Sequence, residues 1–103
     1  MTTALRRAAR VLLLDQDDRV LLLFGTDSSL AADPGWWFTP GGGVEGPESL
    51  RETAIREVHE ETGVLLESVE GPVGERETTF VFEGETIHQF ETFFAASVAA
   101  FEI

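Results

Sequence analysis

Residues 42–64 read GGVEGPESLRETAIREVHEETGV and combine a glycine-rich segment with the strongest helix pattern of the chain. Pro47 suits the first turn of a helix, where its missing N–H needs no partner. Gly63 is typical of the residue at which a helix ends. One apolar face is marked by residues that recur at three- and four-residue spacing, namely Leu50, Ala54, Ile55 and Val58. We therefore predict a helix over residues 47–62 that packs on a core through this face.

The predicted helix also carries three glutamates that share a face. Glu57, Glu60 and Glu61 stand at i, i+3 and i+4, which makes their side chains neighbours on a helix. Three adjacent carboxylates repel one another, and the nearby Arg51 and Arg56 supply only two positive charges. A divalent cation would compensate them better, because Mg²⁺ prefers oxygen ligands and combines few carboxylates with water and phosphate oxygens. Taken alone, such a run is more often a solvated acidic face. The glycine-rich segment before it favours a phosphate site, since backbone and metal could converge on one phosphate group.

At this point the stretch resembles the Nudix box. The pattern of that box is Gly, five residues, Glu, seven residues, and then Arg-Glu-hydrophobic-any-Glu-Glu-any-Gly-hydrophobic. Every specified position is matched without a gap, by Gly42, Glu48, Arg56, Glu57, Val58, Glu60, Glu61, Gly63 and Val64. Residues 37–42, WFTPGG, also look like the segment that usually leads into the box.

The resemblance implies an α/β fold, namely a Nudix-type α/β/α sandwich with a mixed, mostly antiparallel sheet. We expect one domain over residues 1–103 that lacks the C-terminal strand and helix of the family. An apolar sheet surface left open there would favour dimerisation or exchange of strands between chains.

The resemblance also implies roles for individual residues. Glu57, Glu60 and Glu61 would bind Mg²⁺ or, alternatively, Mn²⁺, and Gly41 or Gly42 would offer its backbone carbonyl to the metal. Glu57 or Glu60 would instead orient or deprotonate the attacking water, and Arg56 would hold Glu57 by a charge-assisted hydrogen bond. The residues expected to support the loop and the helix are Gly42, Glu48 and Gly63. Alternatively, Glu48 would reach the metal through water. The family often adds a further acid beyond the box, for which Glu83, Glu85 and Glu91 are available.

The aromatic and histidine residues carry separate expectations. Trp37 and Phe80 are candidates for stacking on a nucleobase, although core packing is the default for them and for Trp36 and Phe82. His59 is expected on the surface, and a structural role is expected for His88.

Composition narrows the class of protein further. The 103 residues suffice for one domain, and 19 acidic against 7 basic residues give a net charge of −12. Such a surface repels phosphate backbones, so we expect no nucleic-acid partner. The chain has no Cys, and the apolar run at residues 11–14 is too short for a signal-peptide core or a membrane span. A protein of the cytoplasm without a membrane partner is therefore expected.

Two hairpins are predicted around the box. Residues 10–14 and 19–24 flank an Asp-rich turn, and the non-alternating RVLLLF of the second segment suggests a strand buried on both faces. Residues 77–82 and 87–96 flank Glu83-Gly84-Glu85 as the second hairpin. Between the hairpins we expect a loop over 25–35, a brief strand over 36–39 and a glycine loop over 41–46.

The leading function is a Mg²⁺-dependent hydrolase that cleaves a diphosphate bond in a small nucleotide substrate. The absence of Tyr, and of Pro at residues 78–81, favours a nucleoside triphosphate or another nucleotide-linked diphosphate over substrates of other Nudix subfamilies. The alternatives are a Nudix-fold module that binds a nucleotide metabolite without turnover and a structural fragment whose box cannot act.

Overall fold

The computed structural model describes residues 3–25 and 35–99 of the chain. In chain order the elements are β1 (Thr3–Leu14), β2 (Leu23–Gly25), β3 (Trp36–Phe38), β4 (Gly41–Gly43), α1 (Leu50–Thr62), β5 (Glu70–Phe82) and β6 (Glu85–Ser97). Four strands form one sheet in the order β4-β1-β6-β5, while β2 and β3 form a small second sheet. The predicted loop over residues 25–35 falls, except for its two ends, outside the described residues.

The large sheet is mixed, as predicted. Its two central strands, β1 and β6, run parallel in a register that pairs Thr3 with Thr86 and Leu14 with Ser97. Strand β4 on one edge and β5 on the other are both antiparallel to their neighbours. The second predicted hairpin is confirmed, because β5 and β6 are joined at Glu83 and Gly84, both with positive φ. Within the described residues α1 is the one helix.

The core lies between α1 and the face of the sheet made by β1 and β6. Its buried side chains are Ala9, Val11, Leu13, Ala54, Val58, Val69 and Phe94. Leu50 and Ile55 pack against this cluster from the helix, so the predicted apolar face of the helix is confirmed. Burial of this face holds α1 in a fixed position over β1 and β4.

The start of the helix differs from the prediction. Helix α1 begins at Leu50, not at Pro47, because Ser49 acts as the N-cap. The Ser49 side chain accepts from the N–H of Glu52, whose carboxylate accepts from the N–H of Ser49 in return. Gly63 ends the helix in the left-handed conformation, at φ 79°, as predicted.

Two further expectations for the N-terminal half are wrong. The first three glycines of the expected loop over 41–46 form β4, which pairs with residues 8–10 of β1. The segment 19–24 is not buried on both faces, because Val20, Leu22 and Phe24 are exposed. A short hairpin with the end of β1 does form, through a bridge between Leu14 and Val20 and a hydrogen bond from the Leu21 N–H to the Leu13 carbonyl at 3.0 Å. Strand β2, at the end of this segment, pairs with β3. The Asp-rich turn itself forms, with Asp15 accepting from the N–H groups of Asp17 and Arg19.

Candidate active site

The glutamates of the helix lie next to the glycine strand β4. A Cβ atom placed on Gly42 would lie 2.5 Å from Cδ of Glu57 and 2.6 Å from its Oε2. Only glycine leaves room for the Glu57 carboxylate at this point. Glu61 is fixed from the same strand, since its Oε1 accepts a 2.8 Å hydrogen bond from the N–H of Gly41. The packing of α1 on the sheet therefore brings Gly41, Gly42, Glu57 and Glu61 together.

Arg56 connects this group to the start of the helix. Its Nη1 donates to Oε1 of Glu57 at 2.6 Å and to Oε2 of Glu60 at 3.2 Å. Its Nε donates to Oε2 of Glu48 at 2.6 Å, and its Nη2 donates to Oε1 of Glu48 at 3.0 Å. Nη2 also donates to the Gly43 carbonyl at 3.1 Å. One guanidinium thus holds three carboxylates and β4 in one network, which fixes the rotamer of Glu57.

Glu48 is an acceptor for this network. Besides Arg56, its Oε1 accepts from the Thr53 hydroxyl at 2.9 Å and from the N–H of Glu45 at 3.0 Å. The hydrogen bond from Arg56 is the largest of several effects that lower the pKa of Glu48, to about 2. Its negative charge in turn raises the pKa of Arg56. The ion pair therefore persists at any pH at which the protein would act.

The pKa of Glu61 is shifted in the opposite direction to that of Glu48. Desolvation raises its pKa, and the charges of Glu57 and Glu60 raise it further, against the lowering effects of the Gly41 N–H and of Arg10. Although the residue as a whole is exposed, its Oε1 is directed at the backbone of β4. The mutual repulsion of three carboxylates is thus only partly compensated by protein groups, and a bound cation would relieve it.

The donor atoms suit a hard cation but do not enclose one. Across residues 3–25 and 35–99, no set of three acidic or histidine side chains converges closely enough to hold an ion alone. Arg56 occupies Oε1 of Glu57 and Oε2 of Glu60, whereas Oε2 of Glu57 accepts no hydrogen bond from the described residues. Mg²⁺ needs few protein carboxylates when water and phosphate oxygens complete its octahedron. The oxygen donors present fit that mode of binding.

The acids considered beyond the box are placed differently from one another. Glu91 is almost fully buried, and its Oε2 accepts from Arg10 Nε at 2.9 Å. Its Oε1 accepts from Arg76 Nη2 at 2.7 Å. Two arginines thus keep Glu91 as a paired structural carboxylate, which makes it a poor base. Glu83 and Glu85 lie at the turn between β5 and β6 and are exposed.

Core packing is the wrong description of the two tryptophans. The exposed fraction is 66% for Trp37 and 43% for Trp36. Trp37 contacts Phe24 at a centroid distance of 5.0 Å, and Trp36 meets Phe82 edge-on at 6.4 Å. Phe80 is half-buried in β5. An aromatic surface is therefore available on the small sheet.

The two histidines lie where they were expected. His59 is exposed on α1. His88 stacks on Phe90 at 4.7 Å, which fits a structural role.

Sequence reasoning missed two residues of the network. Thr53 is fully buried and donates to Glu48. Arg10 lies close enough to Glu61 to affect its pKa and also binds Glu91. A charged residue within an otherwise apolar strand segment was the available signal for Arg10, whereas nothing local distinguishes Thr53 from a surface threonine.

Comparisons with known proteins agree with this geometry. The NUDIX domain model matches residues 4–101. The chain is 45% identical over 53 residues to the uncharacterized Nudix hydrolase YvcI of Bacillus subtilis, covering 52% of this chain and 30% of that protein. It is 43% identical over 65 residues to an RNA pyrophosphohydrolase of Dinoroseobacter shibae, covering 63% of this chain and 38% of that protein.

A similar solved structure is the MutT protein from Methanosarcina mazei. The TM-score is 0.72 at 26% identity, over 97% of this chain and 69% of that one. The chain spans well under half the length of both curated relatives. No helix among the described residues is long and apolar enough to cross a membrane.

Proposed function

This chain belongs to the NUDIX domain family, and from that premise we propose that it is a Mg²⁺-dependent hydrolase of a nucleoside diphosphate linked to another moiety. The observation that carries the proposal is the network in which Arg56 holds Glu57 while Gly42 leaves space for the Glu57 carboxylate. A solvated acidic helix face would need neither the buried contacts of Glu48 nor the close approach of β4. The network is what a site that positions carboxylates for phosphate chemistry requires.

The metal would be held by Glu57, Glu60 and Glu61 together with the Gly41 carbonyl. When bound there, Mg²⁺, or Mn²⁺ in its place, would neutralise charge at the phosphate and lower the pKa of water. Glu57 or Glu60 orients the water that attacks phosphorus, and Arg56 keeps Glu57 in place. The new P–O bond forms to water, and the P–O bond to the bridging oxygen breaks. The products are a nucleoside monophosphate and the remaining phosphorylated group, with the proton passing to a carboxylate.

We place the substrate among nucleoside triphosphates and nucleotide-sugar-type diphosphates. The net charge of −12 opposes binding of a long polyanion, although one relative is named for activity on RNA. Trp37 is proposed as the surface on which a nucleobase stacks, because it is the more exposed of the two tryptophans. Phe80, which is half-buried, is the weaker candidate. We also propose a cytoplasmic location, which fits a chain without cysteine. A homodimer is proposed as the oligomeric state.

The second candidate is a module that binds a nucleotide metabolite without hydrolysis. Arg56 favours it in one respect, since this residue already occupies carboxylate oxygens of Glu57 and Glu60. The complete box favours hydrolysis instead. A protein that binds a metabolite without turning it over would be the binding module and not the hydrolase.

The test is product release from a panel of nucleoside triphosphates, nucleotide sugars and a short RNA carrying a 5′-triphosphate. Each substrate is assayed with Mg²⁺, with EDTA, and with the variants Glu61→Gln and Glu67→Gln. Glu67→Gln is the matched control, because Glu67 is exposed and lies beyond the end of α1. We expect turnover that requires metal, is lost in Glu61→Gln and is unchanged in Glu67→Gln. Nucleotide binding by a folded protein that turns over no substrate would support the second candidate and contradict the first.

A further inference from the structure

Arg6 and Arg7 on β1 have no part in the function proposed above, and they differ from most other arginines of the chain in their partners. All seven basic residues of the chain are arginines. Arg10 and Arg76 are paired with Glu91, Arg19 with Asp15, and Arg56 with the helix glutamates. Arg51 donates to the backbone carbonyls of Val69 and Gly71.

Like Arg51, the remaining two, Arg6 and Arg7, form no ion pair with any residue in the described ranges. In a chain of net charge −12, unpaired arginines are unusual, because acidic partners are abundant.

Arg6 is nevertheless held in place. Its Nη1 donates to Oε1 of Gln89 at 2.9 Å, and Gln89 is almost fully buried. A Cβ on Gly43 would lie 2.7 Å from Nε of Arg6 and 3.1 Å from its Nη2. The guanidinium therefore rests against glycine backbone on one side and is anchored by a buried amide on the other. A guanidinium that is held by an amide and by backbone, with no carboxylate of the described residues at ion-pair distance, is preorganised for an anion that is not part of the protein.

Arg6 lies in the same cleft as Glu57, one of the glutamates of the proposed hydrolytic site. Arg6, Arg7, Gly43 and Glu57 line one open cleft of about 470 Å³. Gly43, on which Arg6 rests, directly follows Gly42, which faces the Glu57 carboxylate. Burial and the neighbouring Arg10 lower the pKa of Arg6, whereas Glu57 and Glu91 raise it. The residue stays cationic in any case, since the starting pKa of arginine is far above neutral.

We propose that Arg6 binds the substrate phosphoryl group adjacent to the one that is attacked at Glu57. This inference rests on the proposed function and adds the residue that selects diphosphates over monophosphates. A guanidinium offers two parallel N–H groups, and this fork matches two nonbridging oxygens of one phosphoryl group. A monophosphate held at the glutamates would leave Arg6 without a ligand. Arg7 lines the same cleft and contributes positive charge but has no anchor comparable to Gln89.

The experiment measures binding of methylenediphosphonate, whose P–C–P bridge resists hydrolysis, by calorimetry in the presence of Mg²⁺. Phosphate is titrated in parallel as the single-group probe. Arg6→Lys keeps the charge but not the fork, and Arg6→Gln removes both. Arg19→Gln is the charge-matched control, since Arg19 lies in the Asp-rich turn and pairs with Asp15. Thermal unfolding of each variant establishes that it is folded, and Arg6→Lys serves where Arg6→Gln does not fold.

We expect the dissociation constant for methylenediphosphonate to rise about 10- to 100-fold in Arg6→Gln, the range for loss of a charged hydrogen bond. Arg6→Lys should give a smaller rise, and Arg19→Gln should leave the constant unchanged. Phosphate binding should change much less than diphosphonate binding. With a hydrolysed substrate, KM should rise more than kcat falls.

Equal loss in Arg6→Gln and Arg19→Gln would overturn the inference, as would wild-type protein that does not bind the diphosphonate. Because binding is measured without turnover, the outcome separates the two proposals. A hydrolase unaffected by Arg6→Gln refutes only the role of Arg6. An inactive protein that loses diphosphonate binding in Arg6→Gln refutes only the hydrolysis.

Discussion

Gly42→Ala tests whether the close approach of β4 to the Glu57 carboxylate matters. The added methyl group would lie 2.5 Å from Cδ of Glu57, whereas ordinary van der Waals contact begins near 3.4 Å. The difference, 3.4 − 2.5, means that the carboxylate must move by 0.9 Å. It cannot do so freely, because Arg56 Nη1 holds its Oε1 at 2.6 Å. The substitution therefore displaces one functional group without altering its chemistry.

The expected effect on turnover is large, and the effect on folding is small. A displacement of about 1 Å in a catalytic group costs roughly 100-fold in rate. The free energy of unfolding should fall by less than about 2 kcal/mol, because the clash involves the end of a side chain and the Arg56–Glu57 bond is partly solvated. The reduced freedom of the unfolded chain with alanine offsets part of that loss.

The assay is kcat on the best substrate of the panel, with urea unfolding for stability. Gly74→Ala is the control, since a Cβ there meets no atom within 4 Å. A second control is the Glu57→Gln background, where Gly42→Ala should have little further effect on kcat if it acts through Glu57. Folded Gly42→Ala with wild-type kcat would refute the reasoning, and equal losses in Gly74→Ala would attribute the effect to strand flexibility instead.

Two further predictions concern stability. Ser49→Ala removes the side-chain half of the capping box and should lower the free energy of unfolding by about 1 kcal/mol, measured by urea unfolding, whereas an unchanged midpoint would show that the cap is dispensable. Burial opposes ionisation of Asp15, but hydrogen bonds from Arg19 and Asp17 outweigh it and lower its pKa below 3.8. A carboxyl whose pKa is lowered by folding contributes stability above its unfolded pKa and loses it as pH falls through the folded pKa. Acid unfolding followed against pH should therefore be less steep in Asp15→Asn than in the wild type, and identical profiles would exclude Asp15 as a contributor.

The helix and the placement of its glutamates follow from local sequence. The spacing of Glu57, Glu60 and Glu61 places their side chains on one face of any helix that forms, whatever it packs on. The apolar spacing that ends at Val58 predicts the buried face, and Gly63 predicts the end of the helix, because these are consequences of helical geometry over a few residues. The start at Leu50 was missed because Pro47 and Ser49 are both acceptable N-terminal residues, and the capping box with Glu52 decided between them.

Only the tertiary structure decided how the strands pair and what surrounds the glutamates. Segment 19–24 has an apolar composition that fits a buried strand, but burial depends on neighbours that are distant in sequence, and β2 instead pairs with β3. The parallel pairing of β1 with β6 brings Arg6 to Gln89 across 83 residues of chain. The pairing of β4 with β1 places Gly42 against Glu57. Local periodicity carries no information about such contacts, since they arise only when the sheet registers are chosen together with the packing of α1.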